Sequence, residues 1–204
     1  MRIPLAYINY PPRWETCCKY IVVAGPKNLG FAKDVADVNR FAARYRAAKA
    51  FRQVQFDGIT ADTADGYSAL CQMLLTYSAF EHFTFCLGIR KYATLDLLTK
   101  SQRDAVQAKL RTLKGQRELF RFVRDLVDRP HQEELDKHLS GYDCNPFRLA
   151  SAIRHSFAHG VLTANPVKAP PRSVATVSRY LCRVLIAAID RRFESLMIEF
   201  EAHL

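Results

Sequence analysis

Residues 67–89 read YSALCQMLLTYSAFEHFTFCLGI, a run from Tyr67 to Ile89 without proline and with its single glycine, Gly88, at the far end. Leu70, Met73, Leu74, Tyr77, Phe80, Phe83, Phe85 and Leu87 fall on every side of a helix of 3.6 residues per turn. A helix that is apolar around its axis has to be covered around its axis. The run therefore predicts a helix from about Tyr67 to Lys91 at the centre of a helical bundle. It is also long enough to span a bilayer, but Gln72 and the pair Glu81-His82 are expensive in lipid. The expectation is a buried central helix in a soluble, cytoplasmic protein with no membrane partner.

The flanking sequence agrees with a helical fold. Phe31, Val35, Val38, Phe41, Tyr45, Ala48, Phe51 and Val54 recur at intervals of three and four, which predicts an amphipathic helix to about Phe56. Asp57-Gly58 ends it, and Asp62–Gly66 reads as a polar break. Ser101 with Asp104 three residues on has a capping-box pattern and opens a third helix, which Gly115 interrupts and Phe120, Val123 and Val127 continue to Pro130. Residues 131–145 are acidic and end in Asn145-Pro146, an N-cap followed by a first-turn proline. The helix so begun reaches about His159, before Gly160. A proline-rich loop, Ala164–Arg172, leads to a last helix from about Ser173. The fold class is all-α, a bundle of five to six helices over residues 31–204. Residues 1–30, rich in tyrosine and proline, form a segment packed on it, with Lys19–Ala24 open to either strand or helix.

Composition narrows the function. The hydrophobic fraction is 49% and the formal net charge is +10. The charge is uneven, because residues 57–99 and 131–145 are acidic while the stretches around them are basic. Basic faces of this kind favour polyanions, RNA and DNA above all, although an arginine-rich solvated surface has the same composition. The six cysteines show neither C-x-x-C nor the alternating Cys/His spacing of a zinc site, and several sit in apolar helical stretches, so they read as free buried thiols. Met1–Tyr10 contains Pro4 and lacks the apolar core of a signal peptide. Phosphate-binding glycine loops, G-x-S-x-G and H-E-x-x-H are absent from the sequence. No cofactor and no metal ligand set is expected.

The segment with chemistry in it runs Ala152-Ile153-Arg154-His155-Ser156-Phe157-Ala158-His159-Gly160-Val161. An Arg with a His five residues on is weak as bare spacing, and Arg124 to His131 and Arg148 to His155 give similar pairs. Context separates Arg154 and His159 from these: a well-capped helix start precedes them, small and apolar residues lie between them, and they fall on the penultimate helix. The segment resembles the motif of the HEPN family, an Arg followed after four to six residues by His, with a polar residue such as His155 just after the Arg and a His-Gly ending. The resemblance covers roughly residues 63–200. It implies a helical bundle that works as a homodimer, and a metal-independent endoribonuclease with Arg154 and His159 as catalytic residues. His155 and Glu81 are candidate supporting residues.

The residue types suit that reaction. Cleavage by the RNA's own 2′-OH needs a base for its proton and an acid for the leaving 5′-oxygen, and histidine serves either role near neutral pH. A guanidinium grips the charge that develops on phosphorus. On a straight helix Arg154 and His159 lie about 140° apart in azimuth and about 7.5 Å apart along the axis, too far for one copy to form a compact site. Two copies across a two-fold axis bring the patch together twice.

Structural readings stand beside these. His159 before Gly160 suits a helix end, Arg154 is a partner for a buried Glu81, and His155 is a solvent-facing residue. The alternative function is a noncatalytic module of the same type that binds nucleic acid or a protein partner. Toxins of the family paired with antitoxins often carry a tyrosine two residues after the histidine, where this chain has Val161, a departure from the toxin pattern.

Overall fold

A computed structural model describes residues 7–204, with the side chains of residues 91 and 92 excepted. The readings of Met1–Ala6 lie outside the described residues. The described chain is all-helical, with no strand. Its elements are α1 (Trp14–Tyr20), α2 (Val35–Ala50), α3 (Ala61–Cys86), a 3-10 helix (Lys91–Leu97), α4 (Lys100–Thr112), α5 (Gln116–Arg124), α6 (Arg129–Leu139), α7 (Pro146–Ala158) and α8 (Pro171–Glu201). Eight α-helices stand where five to six were expected. The additional ones are α1, inside the tyrosine- and proline-rich segment, α5, whose apolar pattern runs on from that of α4 across Gly115, and α6, in the acidic stretch after Pro130. No helix among the described residues is long and apolar enough to cross a membrane.

The chain forms two compact units. One comprises residues 7–51, 78–97 and 185–204 of the described chain, the other residues 52–77 and 98–184, so α3 and α8 each contribute to both. In the first unit the core is aromatic. Phe193 lies with its ring centroid 5.6 Å from Trp14, 6.0 Å from Phe31, 6.1 Å from Phe41 and 6.4 Å from Phe83, and all five side chains are buried. Trp14 of α1 and Phe31, ahead of α2, thus contribute to this core.

α2 is shorter than the sequence pattern. Asp34 caps its start by accepting from the Asp37 N–H, and Phe51, in extended backbone, ends it. Beyond that point the Val54 N–H donates to Ser68 Oγ at 3.0 Å, a tertiary bond that replaces the one a continued helix would make.

The second unit corrects several boundaries. The polar stretch Asp62–Gly66 is the opening of α3, not a break. Thr60 Oγ1 accepts from the Thr63 N–H, and two acids near the helix start pair across to α8, Asp62 with Arg172 and Asp65 with Arg179. Gly66 lies inside α3, and the position requires glycine because a Cβ there would meet Ala164 Cβ at 2.9 Å and its carbonyl oxygen at 3.0 Å. The capping box of α4 is Thr99 with Gln102, in place of Ser101 with Asp104. Pro130 belongs to the first turn of α6, capped by Asp128. A first-turn proline loses no hydrogen bond, so the same residue marks a start as readily as a stop. α4, α5, α6 and α7 pack on one another.

The central helix is less enclosed than its composition suggests. Phe80 and Phe83 are buried and Leu74 is half-buried, but Phe85 is 45% exposed, with the Lys33 ammonium 4.4 Å from its ring centroid. Glu81 is exposed. The expectation of a buried acid at this position is therefore corrected.

Candidate functional site: a row of three imidazoles on α6 and α7

α7 forms as its sequence dictates. The Asn145 side chain accepts from the Phe147 N–H, Pro146 occupies the first turn, and Phe147, Leu149, Ala150, Ala152, Ile153 and Ser156 are buried. His159 is the C-cap and Gly160 follows at φ 73°, the left-handed conformation that glycine adopts without strain. The N–H groups of Val161 and Leu162 both return to the Ser156 carbonyl, which closes the helix end.

Arg154, His155 and His159 lie along this end. Arg154 is half-buried, with its guanidinium carbon 5.7 Å from the centroid of Tyr77. His155 is half-buried rather than facing solvent, and its ring centroid is 4.3 Å from that of His159, which is exposed. The spacing of four residues places both imidazoles on one face, as the helix requires. Phe157, two residues on, reaches the Tyr67 ring at 6.4 Å, and Tyr67 in turn packs 5.3 Å from Phe56.

The structure adds residues that sequence reading passed over. His131, on the first turn of α6, stacks on His155 with centroids 5.8 Å apart and planes 29° apart. Its Nδ1 meets the carboxylate of Asp128, and its Nε2 lies 2.9 Å from Ser151 Oγ on α7. The three rings thus form a row, His131–His155–His159, anchored at its buried end. The local signal was present: Asp128-Arg129-Pro130-His131 is an N-cap with a histidine three residues on, the spacing at which cap and side chain meet. Its place beside α7 is a matter of packing and leaves no trace in the local pattern.

The electrostatics follow from this arrangement. Burial, and after it the charges of His159 and His131, hold the His155 imidazole below its ordinary value; Arg154 acts in the same direction and Asp128 opposes. The hydrogen bond from His131 is the main cause that holds the Asp128 carboxyl below the usual range. Like charges stacked at these distances disfavour one another's protonation.

Glu81, the other candidate supporting residue, is exposed on α3, so its carboxylate keeps contact with solvent and carries no desolvation cost of a buried acid. The six cysteines are free thiols, with Cys17, Cys86, Cys144 and Cys182 buried. Among the described residues no three His, Cys, Asp or Glu side chains converge as a ligand set. No family model, curated protein or solved structure matches the chain.

Proposed function

We propose that the chain is a HEPN-type, metal-independent endoribonuclease that acts as a homodimer, with Arg154 and His159 of two copies facing one cleft. The observation that carries the reading is the exposed end of α7, where His159 stands 4.3 Å from His155 and the half-buried Arg154 is held over Tyr77. Two imidazoles and a guanidinium gathered at one helix end are the groups an in-line attack by a 2′-hydroxyl uses. Exposed Val161 beside His159 leaves this end open to a second copy. Arg117, Arg121 and Arg183, all exposed, supply positive charge for the RNA backbone.

In this reading the 2′-oxygen attacks phosphorus as a histidine takes its proton. The P–O5′ bond breaks as a second histidine protonates the leaving oxygen, giving a 2′,3′-cyclic phosphate and a 5′-hydroxyl. The guanidinium of Arg154 holds the phosphoryl oxygens, and His155 supports His159.

The test is purified protein with mixed RNA in EDTA, beside Arg154→Ala and His159→Ala. Cleavage with cyclic phosphate ends, lost in both variants, is expected, and DNA is left intact. RNA binding without cleavage returns the chain to the noncatalytic reading. Cutting of DNA, dependence on a divalent metal, or full activity in His159→Ala refutes the mechanism.

A further inference from the structure

We propose that His131, anchored by Asp128 and Ser151, is a positioning residue of this site, one that holds the His155 ring against His159 from the neighbouring helix. The inference rests on the reading of the α7 end as the reactive centre. It starts from hydrogen-bond valence. An ionised carboxylate only accepts, so Asp128 requires the proton of His131 to be on Nδ1. Nε2 then faces a hydroxyl, which donates to a neutral imidazole and accepts from an imidazolium. Both ring nitrogens are therefore satisfied in either charge state, and the ring keeps one orientation. Its side chain is only 10% exposed, so packing supports the same orientation.

A fixed ring on one side of His155 limits where that imidazole can go. The His155 ring has His131 of α6 at 5.8 Å and His159 at the end of α7 at 4.3 Å. The charged and titratable groups that act on His155 are Asp128 and His131 at the start of α6, with Arg154 and His159 at the end of α7. His131 therefore acts on His155 in two ways, by contact and by charge.

Asp128, His131 and Ser151 also have the connectivity of a nucleophilic serine relay, but their setting argues for orientation. Ser151 lies inside α7, beyond the first turn, where backbone N–H groups are committed to helical hydrogen bonds. The pair of free N–H donors that an acyl-transfer serine needs beside it is thus not supplied by its own helix.

Imidazole NMR on the full chain tests the proposal without RNA. In the unaltered protein near pH 7.5, His131 is expected to carry its proton on Nδ1, the less common tautomer of free histidine. Asp128→Ala releases it toward Nε2. His131→Phe keeps a ring in the stack and removes its charge, so the His155 midpoint rises by about half a pH unit, as two charges some 6 Å apart near a wet surface imply. The acid limb of the RNA-cleavage profile moves with it.

A proton on Nε2 of His131 in the unaltered protein overturns the proposal, and so does a His155 midpoint that stays put in a folded His131→Phe. Covalent labelling of Ser151 by a fluorophosphonate overturns it in favour of a nucleophilic serine. The tautomer measurement needs no variant and stands if His131→Phe does not fold. A coupled row in a chain that cleaves no RNA supports the positioning role and refutes the ribonuclease reading; cleavage with uncoupled histidines does the reverse.

Discussion

Gly115 joins α4 to α5 at φ 73°, and a Cβ built on it overlaps Ser173 Oγ and lies 2.7 Å from Ser173 Cβ. Gly115→Ala therefore carries two separable penalties. The left-handed backbone costs a non-glycine residue about 1–2 kcal/mol. The overlap with a serine that is only 4% exposed, in the first turn of α8, costs about 1–3 kcal/mol as overpacking. Together they destabilise the protein by about 2–5 kcal/mol. A double-mutant cycle with Ser173→Gly divides them, because the second change removes the atoms that clash and leaves the backbone conformation as it was. Urea unfolding followed by circular dichroism is expected to show a coupling of about 1–3 kcal/mol, the overlap alone. A Gly115→Ala variant that loses less than about 1 kcal/mol, or a cycle with no coupling, refutes the account of why glycine occupies this corner.

Burial, and then the charges of Arg111 and Arg117, lower the His138 imidazole from 6.5 to about 4. The unfolded chain therefore binds the extra proton first, and stability falls as pH drops from 6.5 toward 4, by up to about 3 kcal/mol. Denaturation midpoints at pH 6.5 and 4.5 should converge in His138→Gln, and an unchanged slope refutes the assignment. Trp14 is 5% exposed, stacks on Tyr10 with centroids 5.2 Å apart, and packs on Phe193. Trp14→Ala should cost about 3–5 kcal/mol in thermal or urea unfolding, while a loss under about 1 kcal/mol would make the segment around α1 an appendage.

Helical class was legible over most of residues 31–204, because period-3.6 patterns and the scarcity of interior glycine and proline depend only on local chain geometry. The start of α7 was legible for the same reason: Asn145 and Pro146 perform their capping within four residues of one another. Arg154, His155 and His159 could be singled out because they share one helix end. Local sequence was ambiguous where two readings share a signal. Pro130 marks a helix start as well as a stop, and Asp62–Gly66 is polar both as a loop and as a helix opening whose acids reach Arg172 and Arg179.

Other features belong to tertiary structure alone. Glu81 sits among apolar neighbours in the chain, yet periodicity shows only that a residue shares a face with others, not how deeply that face is buried, and here Glu81 and Phe85 are exposed to solvent. His131 and Ser151 are twenty residues apart, and neither carries a mark of the other in its local sequence. They meet because α6 packs on α7, and that packing is chosen by the apolar faces of both helices rather than by the polar residues it brings together. Sequence by itself determined the helical class, the longer helices and the end of α7 where a histidine and an arginine are presented. Only the packing of a second helix decided that this histidine stands in a row of three, with a carboxylate and a hydroxyl at its buried end.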